Sequence, residues 1–141
     1  MSGMKTILVV DDSAVCREPM AAILESHGYR VLRAGDGVRG LELARAEAPD
    51  LILLDIVMPR MDGLTMLQAL RDDPAHKDRC VILVTNTTDR SCILKARSLG
   101  VQGYMLKTSF SVDEMLARVR ACLANPAATE GIGREALSSE A

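Results

Sequence analysis

Aromatic side chains are almost missing from this chain: two tyrosines, one phenylalanine and no tryptophan, or 2% of 141 residues. That scarcity excludes the stacking platform that single-stranded nucleic acid requires, and it leaves an aliphatic core in which methionine fills gaps. A charge excess is missing as well. Seventeen basic against nineteen acidic residues give a net charge of -2, so no long-range field draws in DNA or an anionic lipid surface. No apolar run reaches the length of a membrane span, and Met1–Lys5 leads directly into the apolar Ile7–Val10 without a signal-peptide pattern. The four cysteines, Cys16, Cys80, Cys92 and Cys122, include no C-x-x-C pair. The spacing rules therefore give no zinc site and leave small thiols in a reducing compartment. A cytoplasmic location is expected. What remains is a 48% hydrophobic chain of a length that suits one domain with a substantial core.

The organising stretch is Leu51-Ile52-Leu53-Leu54-Asp55. Four branched apolar residues without a polar break read as a strand covered by helices on both faces. Pro59 and Asp62-Gly63 then turn the chain. Four similar runs surround it: Thr6–Val10 closing on Asp11-Asp12, Tyr29–Ala34, Cys80–Val84 ending at Thr85, and Val101–Leu106 ending at Lys107.

Helical stripes fall between the runs. The first carries Val15 or Cys16, Met20, Ile23 and Leu24 and stops at Gly28, with Ser13 or Asp12 placed to cap it. Pro19 either interrupts this helix, removing a bond to Val15, or opens a helix that starts later. The second carries Val38, Leu41, Ala44 and Ala48. The third carries Leu64, Leu67 and Leu70, and Asp72-Asp73-Pro74 closes it. The fourth has Cys92, Ile93, Ala96 and Leu99, few large apolar residues, and stops at Gly100. In the fifth, Ser111 and Glu114 form a capping-box pattern ahead of Val112, Met115, Leu116, Val119 and Leu123. Residues 1–125 are expected to form the domain, and 126–141, without a periodic face, a flexible tail. Strands alternating with helices give an α/β fold with a parallel sheet and right-handed crossovers.

In such a sheet the strand carboxyl ends share one edge, where ligands bind. That edge collects Asp11, Asp12, Asp55, Thr85 and Lys107. Two carboxylates about 4 Å apart repel by roughly 4 kcal/mol at an effective dielectric near 20, so three need compensation. A hard divalent cation such as Mg²⁺ supplies it through oxygen ligands, and Lys107 adds positive charge. Acids, metal, a hydroxyl and an ammonium suit phosphoryl transfer. The central Asp55 is placed to accept the group as an aspartyl-phosphate.

The ordered set Asp11-Asp12-Ser13, Leu54-Asp55-Ile56-Val57-Met58-Pro59 with Met61-Asp62-Gly63, Val84-Thr85 and Tyr104-Met105-Leu106-Lys107 resembles the response-regulator receiver domain of bacterial two-component signalling, the CheY-like type, over about residues 5–124. The resemblance implies a flavodoxin-like, doubly wound sheet of five strands in the order 2-1-3-4-5 with five helices. It implies phosphorylation of Asp55 by a histidine kinase or histidine phosphotransfer protein. Asp11, Asp12, Asp55 and the backbone carbonyl of Val57 would hold Mg²⁺, and Thr85 and Lys107 would contact the phosphoryl group. Tyr104 would turn inward when Thr85 moves, altering a face formed by the fourth helix, fifth strand and fifth helix.

Three positions depart from that family's pattern. Thr108 follows Lys107 where proline is usual, so a trans bond or a strained turn is expected. Asn86 follows Thr85 where a small residue is preferred. Val57, with Thr87, occupies a position that tunes attack by water; an apolar side chain orients none, so slow self-dephosphorylation is expected.

The reading is a stand-alone switch that signals to a downstream protein without nucleic acid or membrane, as a monomer or weak homodimer. It promotes only its own phosphotransfer and dephosphorylation and is not otherwise an enzyme. The competing readings are a phosphate shuttle or sink without its own output, a receiver-like module that is never phosphorylated, an aspartyl-nucleophile phosphatase and a flavin module. Val57 argues against the phosphatase, which needs an acid two residues after its nucleophile. Asp11-Asp12 argue against the flavin module, whose phosphate they would repel. Met58, Met61 and Met66 read as core and loop packing. Arg90, Lys95 and Arg97 read as one solvated helix face, and His76 shows no nucleophile or metal partner.

Overall fold

The computed structural model describes residues 4–109 and 111–124, so the expected tail, 126–141, lies outside the described residues. Ten elements alternate along the chain: β1 (Thr6–Val10), α1 (Ala14–Ser26), β2 (Arg30–Ala34), α2 (Gly37–Glu47), β3 (Leu51–Leu54), α3 (Gly63–Asp72), β4 (Cys80–Thr85), α4 (Arg90–Leu99), β5 (Gly103–Leu106) and α5 (Val112–Ala124). The strands form one parallel sheet in the order β2-β1-β3-β4-β5. β1, β3 and β4 lie in its interior, which is why their side chains are apolar on both faces. Ile7–Val10, Leu51–Leu54 and Cys80–Val84 are all buried.

Alternate residues of each strand point to opposite faces and build two cores. Leu8, Val10, Ile52, Leu54, Val81 and Leu83 pack with Leu41 of α2, Met66, Leu67 and Leu70 of α3, and Ile93 of α4. Ile7, Val9, Leu51, Leu53, Ile82 and Val84 pack with Met20 and Leu24 of α1 and Met115, Leu116 and Val119 of α5. Met58 and Met66 are buried in the first core, and Met61 packs against it.

Several local expectations need correction. Ser13 stands at the N-cap of α1, but its side chain makes no capping bond. Its backbone amide instead donates to Asp11 Oδ1 at 2.9 Å. α1 starts at Ala14 and runs through Pro19, which removes the donor for the Val15 carbonyl. Val15 is 84% exposed, and Cys16 is half-buried in its place. Ala48 does not extend the α2 stripe, because the helix ends at Glu47 and Ala48 caps it in left-handed geometry, φ 46°. Val112 opens α5 but stays 46% exposed, being a first-turn residue beyond the reach of the core. Ser111 accepts from the Glu114 amide at 3.0 Å, whereas the Glu114 carboxylate pairs with Arg118 at 3.3 Å, so half of the capping box forms. β2 and β5 are shorter than their apolar runs, starting at Arg30 and Gly103. α4 is lightly packed, with Ile93 and Ala96 its fully buried residues.

Candidate functional site

Parallel register brings the ends of β1, β3, β4 and β5 to one edge. Val10 pairs with Leu54, Leu54 with Leu83, and Thr85 with Leu106. Asp11, Asp55 and Lys107 follow their strands directly, while Thr85 is the last residue of β4. Backbone bonds hold the site. Asp11 N donates to the Ala34 carbonyl at 3.0 Å, Asp55 N to Val10 at 3.0 Å and Lys107 N to Thr85 at 2.9 Å.

Asp11 and Asp55 are buried, at 1% and 4% exposure, whereas Asp12 is exposed. One carboxylate oxygen from each of the three lies within 4.8 Å of the others. Lys107 Nζ bridges the buried pair, 2.7 Å from Asp55 Oδ2 and 2.8 Å from Asp11 Oδ2. Burial of the ammonium draws its pKa down, but the hydrogen bonds and charges of Asp11 and Asp55 outweigh this and leave it raised. Lys107 therefore stays protonated at neutral pH, and its contribution to stability is lost only as pH rises through that raised value.

Asp11 Oδ2 is buried, and among the described residues it meets only the Lys107 ammonium, at 2.8 Å. A buried carboxylate oxygen held by a single cation, in an all-oxygen set of three acids, fits a hard cation such as Mg²⁺. Val57 is 65% exposed and its amide makes a long contact, 3.4 Å, with Asp55 Oδ1. Thr85 is fully buried, and its Oγ1 accepts from the Thr87 amide at 3.3 Å. Tyr104 is 5% exposed, with its hydroxyl donating to the Thr87 carbonyl at 3.0 Å. Thr87 thus joins the Thr85 hydroxyl to the Tyr104 ring, and its own hydroxyl accepts from Asp89 N at 3.2 Å. Asn86 is exposed. The Lys107–Thr108 bond is trans, as are all described peptide bonds.

Besides this Thr87 bridge, two supports were not visible in the sequence. Arg17 reaches back from α1 so that Nη1 donates to the Asp11 carbonyl at 2.8 Å; nothing in a lone arginine on a helix signals this. Gly63 opens α3 so close to β3 that a Cβ there would overlap the Asp55 carbonyl oxygen and lie 2.8 Å from Ile56 Cα. The Asp62-Gly63 pair signalled a turn, which masked the closer constraint.

A model of the response regulator receiver domain matches residues 7–120. The chain belongs to that family. Curated relatives of this receiver include the DNA-binding dual master transcriptional regulator RpaA of Synechocystis, 39% identical over 120 residues, which cover 85% of this chain and 49% of RpaA. Response regulator MprA of a Mycobacterium strain is 36% identical over 132 residues, covering 94% of this chain and 56% of MprA. The receiver therefore spans about half the length of the curated relatives it matches. Among solved structures, a CheY-like receiver domain protein from Methanospirillum hungatei aligns with a TM-score of 0.82 at 26% identity, over 93% of this chain and all of that one. A response regulator from Chloroflexus aurantiacus aligns with a TM-score of 0.79 at 30% identity, over 86% of this chain and 99% of that one. The sheet order and helix placement are those of the CheY-like fold. No described helix is long and apolar enough to cross a membrane.

Proposed function

We propose that this receiver is a phosphorylation switch with Asp55 as its phosphoacceptor. The observation that carries the reading is the convergence on one sheet edge of Asp55, the Asp11–Asp12 pair and the Lys107 ammonium. In this reading Asp55 attacks the phosphorus of a phosphohistidine on a kinase or phosphotransfer protein. An O–P bond forms, the donor N–P bond breaks, and the imidazole leaves with its electron pair. Lys107 releases part of its hold on the Asp55 carboxylate and meets the incoming phosphoryl oxygens, and the Thr85 hydroxyl turns from the Thr87 amide to donate to one of them. Asp11, Asp12, Asp55 and the Val57 carbonyl would hold Mg²⁺, which neutralises charge on the phosphoryl oxygens when bound.

Thr87 supports the expected switch role of Tyr104. A change at Thr85 alters the residue whose carbonyl holds the Tyr104 hydroxyl, and so reaches the face formed by α4, β5 and α5. The donor side is supported by a cleft of about 300 Å³ beside Lys107, lined by Val15, Pro19, Ile23, Val112 and Met115 of α1 and α5. Exposed Val15 and Val112 at its rim give a phosphohistidine-bearing partner an apolar surface next to the acceptor. We place output in protein contacts of the α4–β5–α5 face. Contact with DNA is a property that RpaA's name gives to RpaA. Incubation with acetyl phosphate and Mg²⁺ tests the reading by intact mass. One added phosphoryl group on the wild type and none on Asp55→Asn supports it; no gain on the wild type rejects it.

A further inference from the structure

The basic residues of this receiver differ in what they meet: Arg71 and Arg79 donate to backbone carbonyls, and Lys5 and Lys77 are exposed without an ion pair among the described residues. Around α1, β2 and α2, the arginines at 17, 30, 33, 39 and 45, and Arg60 after β3, each meet a carboxylate within 3.4 Å. On the other side, the chain from Arg90 to Val112 contains no Asp or Glu at all. Its cations are Arg90, Lys95, Arg97 and Lys107, and only Lys107 is engaged, by the acid site. Arg90, Lys95 and Arg97 of α4 and Arg120 of α5 are exposed and make no ion pair among the described residues. Arg90, Leu94 and Arg97 follow i, i+4, i+7 spacing and so form one stripe, with Leu94 45% exposed in its middle. At the neighbouring edge strand, the guanidinium of Arg118 lies over β5, its Nη1 3.5 Å from where a Gly103 Cβ would sit. That Nη1 is buried, with no hydrogen-bond partner among the described residues.

We infer that the α4–β5–α5 face docks an acidic protein segment carrying an aliphatic anchor. Carboxylates would pair with Arg90 and Arg97, and the aliphatic residue would cover Leu94, which lies between them on the same stripe of α4. Charge complementarity of this kind steers encounter and fixes register. A DNA duplex fits less well, since it offers Leu94 no apolar partner and meets a chain of net charge -2. A second copy fits less well too, because the glutamates of its α1 and α2 at positions 18, 25, 42 and 47 are already engaged by arginines. The inference rests on the reading of this face as the output surface and names the chemistry of its partner.

The test is fluorescence anisotropy with a labelled helical peptide of glutamates and leucines, its glutamine counterpart, and a labelled DNA duplex. Each is titrated with the wild type and with Arg90→Glu/Arg97→Glu, before and after acetyl phosphate. Preferential binding of the glutamate peptide, weakened by salt and reduced about tenfold or more in the double variant, is expected. Leu94→Ala is expected to weaken it without altering its salt dependence. Equal binding of the glutamate and glutamine peptides, or no effect of charge reversal, would overturn the inference. Tighter binding of the duplex, lost in the same variant, would overturn it in favour of nucleic acid; self-association lost in that variant would overturn it in favour of a second copy. Phosphorylation of the same samples, read by mass, keeps the two readings apart. A phosphorylated double variant that no longer binds supports the docking chemistry. Equal peptide affinity with and without the phosphoryl group, together with loss on charge reversal, also supports it while contradicting the switch.

Discussion

Lys107 Nζ lies 2.7 Å from Asp55 Oδ2, a contact that closes 52 residues of chain. The same ammonium reaches Asp11, so one lysine bridges both buried acids of the crevice and offsets one of their two charges. Lys107→Ala leaves them without a cation, and removing one partner of a buried pair costs about 3 kcal/mol or more. Thermal unfolding with and without MgCl₂ checks this. The variant should be destabilised without metal and should gain more from Mg²⁺ than the wild type, where lysine competes for the same oxygens. Equal gains would show that lysine and metal do not share the site.

Gly63 has no room for a side chain against the Asp55 carbonyl. Gly63→Ala must push α3 or the end of β3 aside, at a cost of about 1–3 kcal/mol, and must move the acceptor. Denaturant unfolding should show the loss, and phosphorylation by acetyl phosphate should slow. Wild-type stability with a wild-type rate would mean that the loop yields freely.

The fold was legible where burial and polarity agree. β3 and β4 are apolar on both faces because helices cover both, and each meets a polar residue where the sheet edge begins. Gly28 and Gly100 take positive φ, 91° and 93°, next to helix ends where the pattern broke. The misreadings have a common cause. Ala48 and Val112 are apolar and correctly spaced, yet each lies within a residue of a helix end, where periodicity no longer decides what faces the core; of the expected Val15 or Cys16, it is Cys16 that turns inward. At the site, the acids, hydroxyl and lysine were visible because strand ends concentrate side chains. The supports were not, because they act through main-chain atoms: Arg17 on the Asp11 carbonyl, Thr87 beneath Tyr104, Gly63 against Asp55.

Asp89 caps α4, accepting from the Ser91 hydroxyl and amide at 2.7 and 2.9 Å. The Ser91 side chain first, then the Ser91 and Cys92 amides, hold its carboxyl below the ordinary Asp range. A depressed folded-state pKa stabilises the folded form above the unfolded value and ceases to do so as pH falls through the folded one. Asp89→Ala should therefore lower the unfolding midpoint at neutral pH, with a gap that narrows on acidification below the ordinary Asp range. A gap independent of pH would assign the loss to packing rather than to the carboxylate.

Val57 offers a hydrolytic water no hydrogen bond from its side chain. The phosphorylated protein, freed of donor, should lose its phosphoryl group slowly, over minutes or longer. Val57→Asn should shorten that lifetime. Decay of the wild type within seconds would show that another group orients the water.

If Asp55 is the acceptor, phosphate lands on one side chain, and reductive mapping reads which. Borohydride converts an aspartyl phosphate to homoserine, so peptide mass spectrometry after acetyl phosphate and Mg²⁺ reads the position. Homoserine is expected at position 55 and absent without donor. Homoserine at 11 or 12, or at no position in a protein that has gained phosphate, would contradict Asp55 as the acceptor.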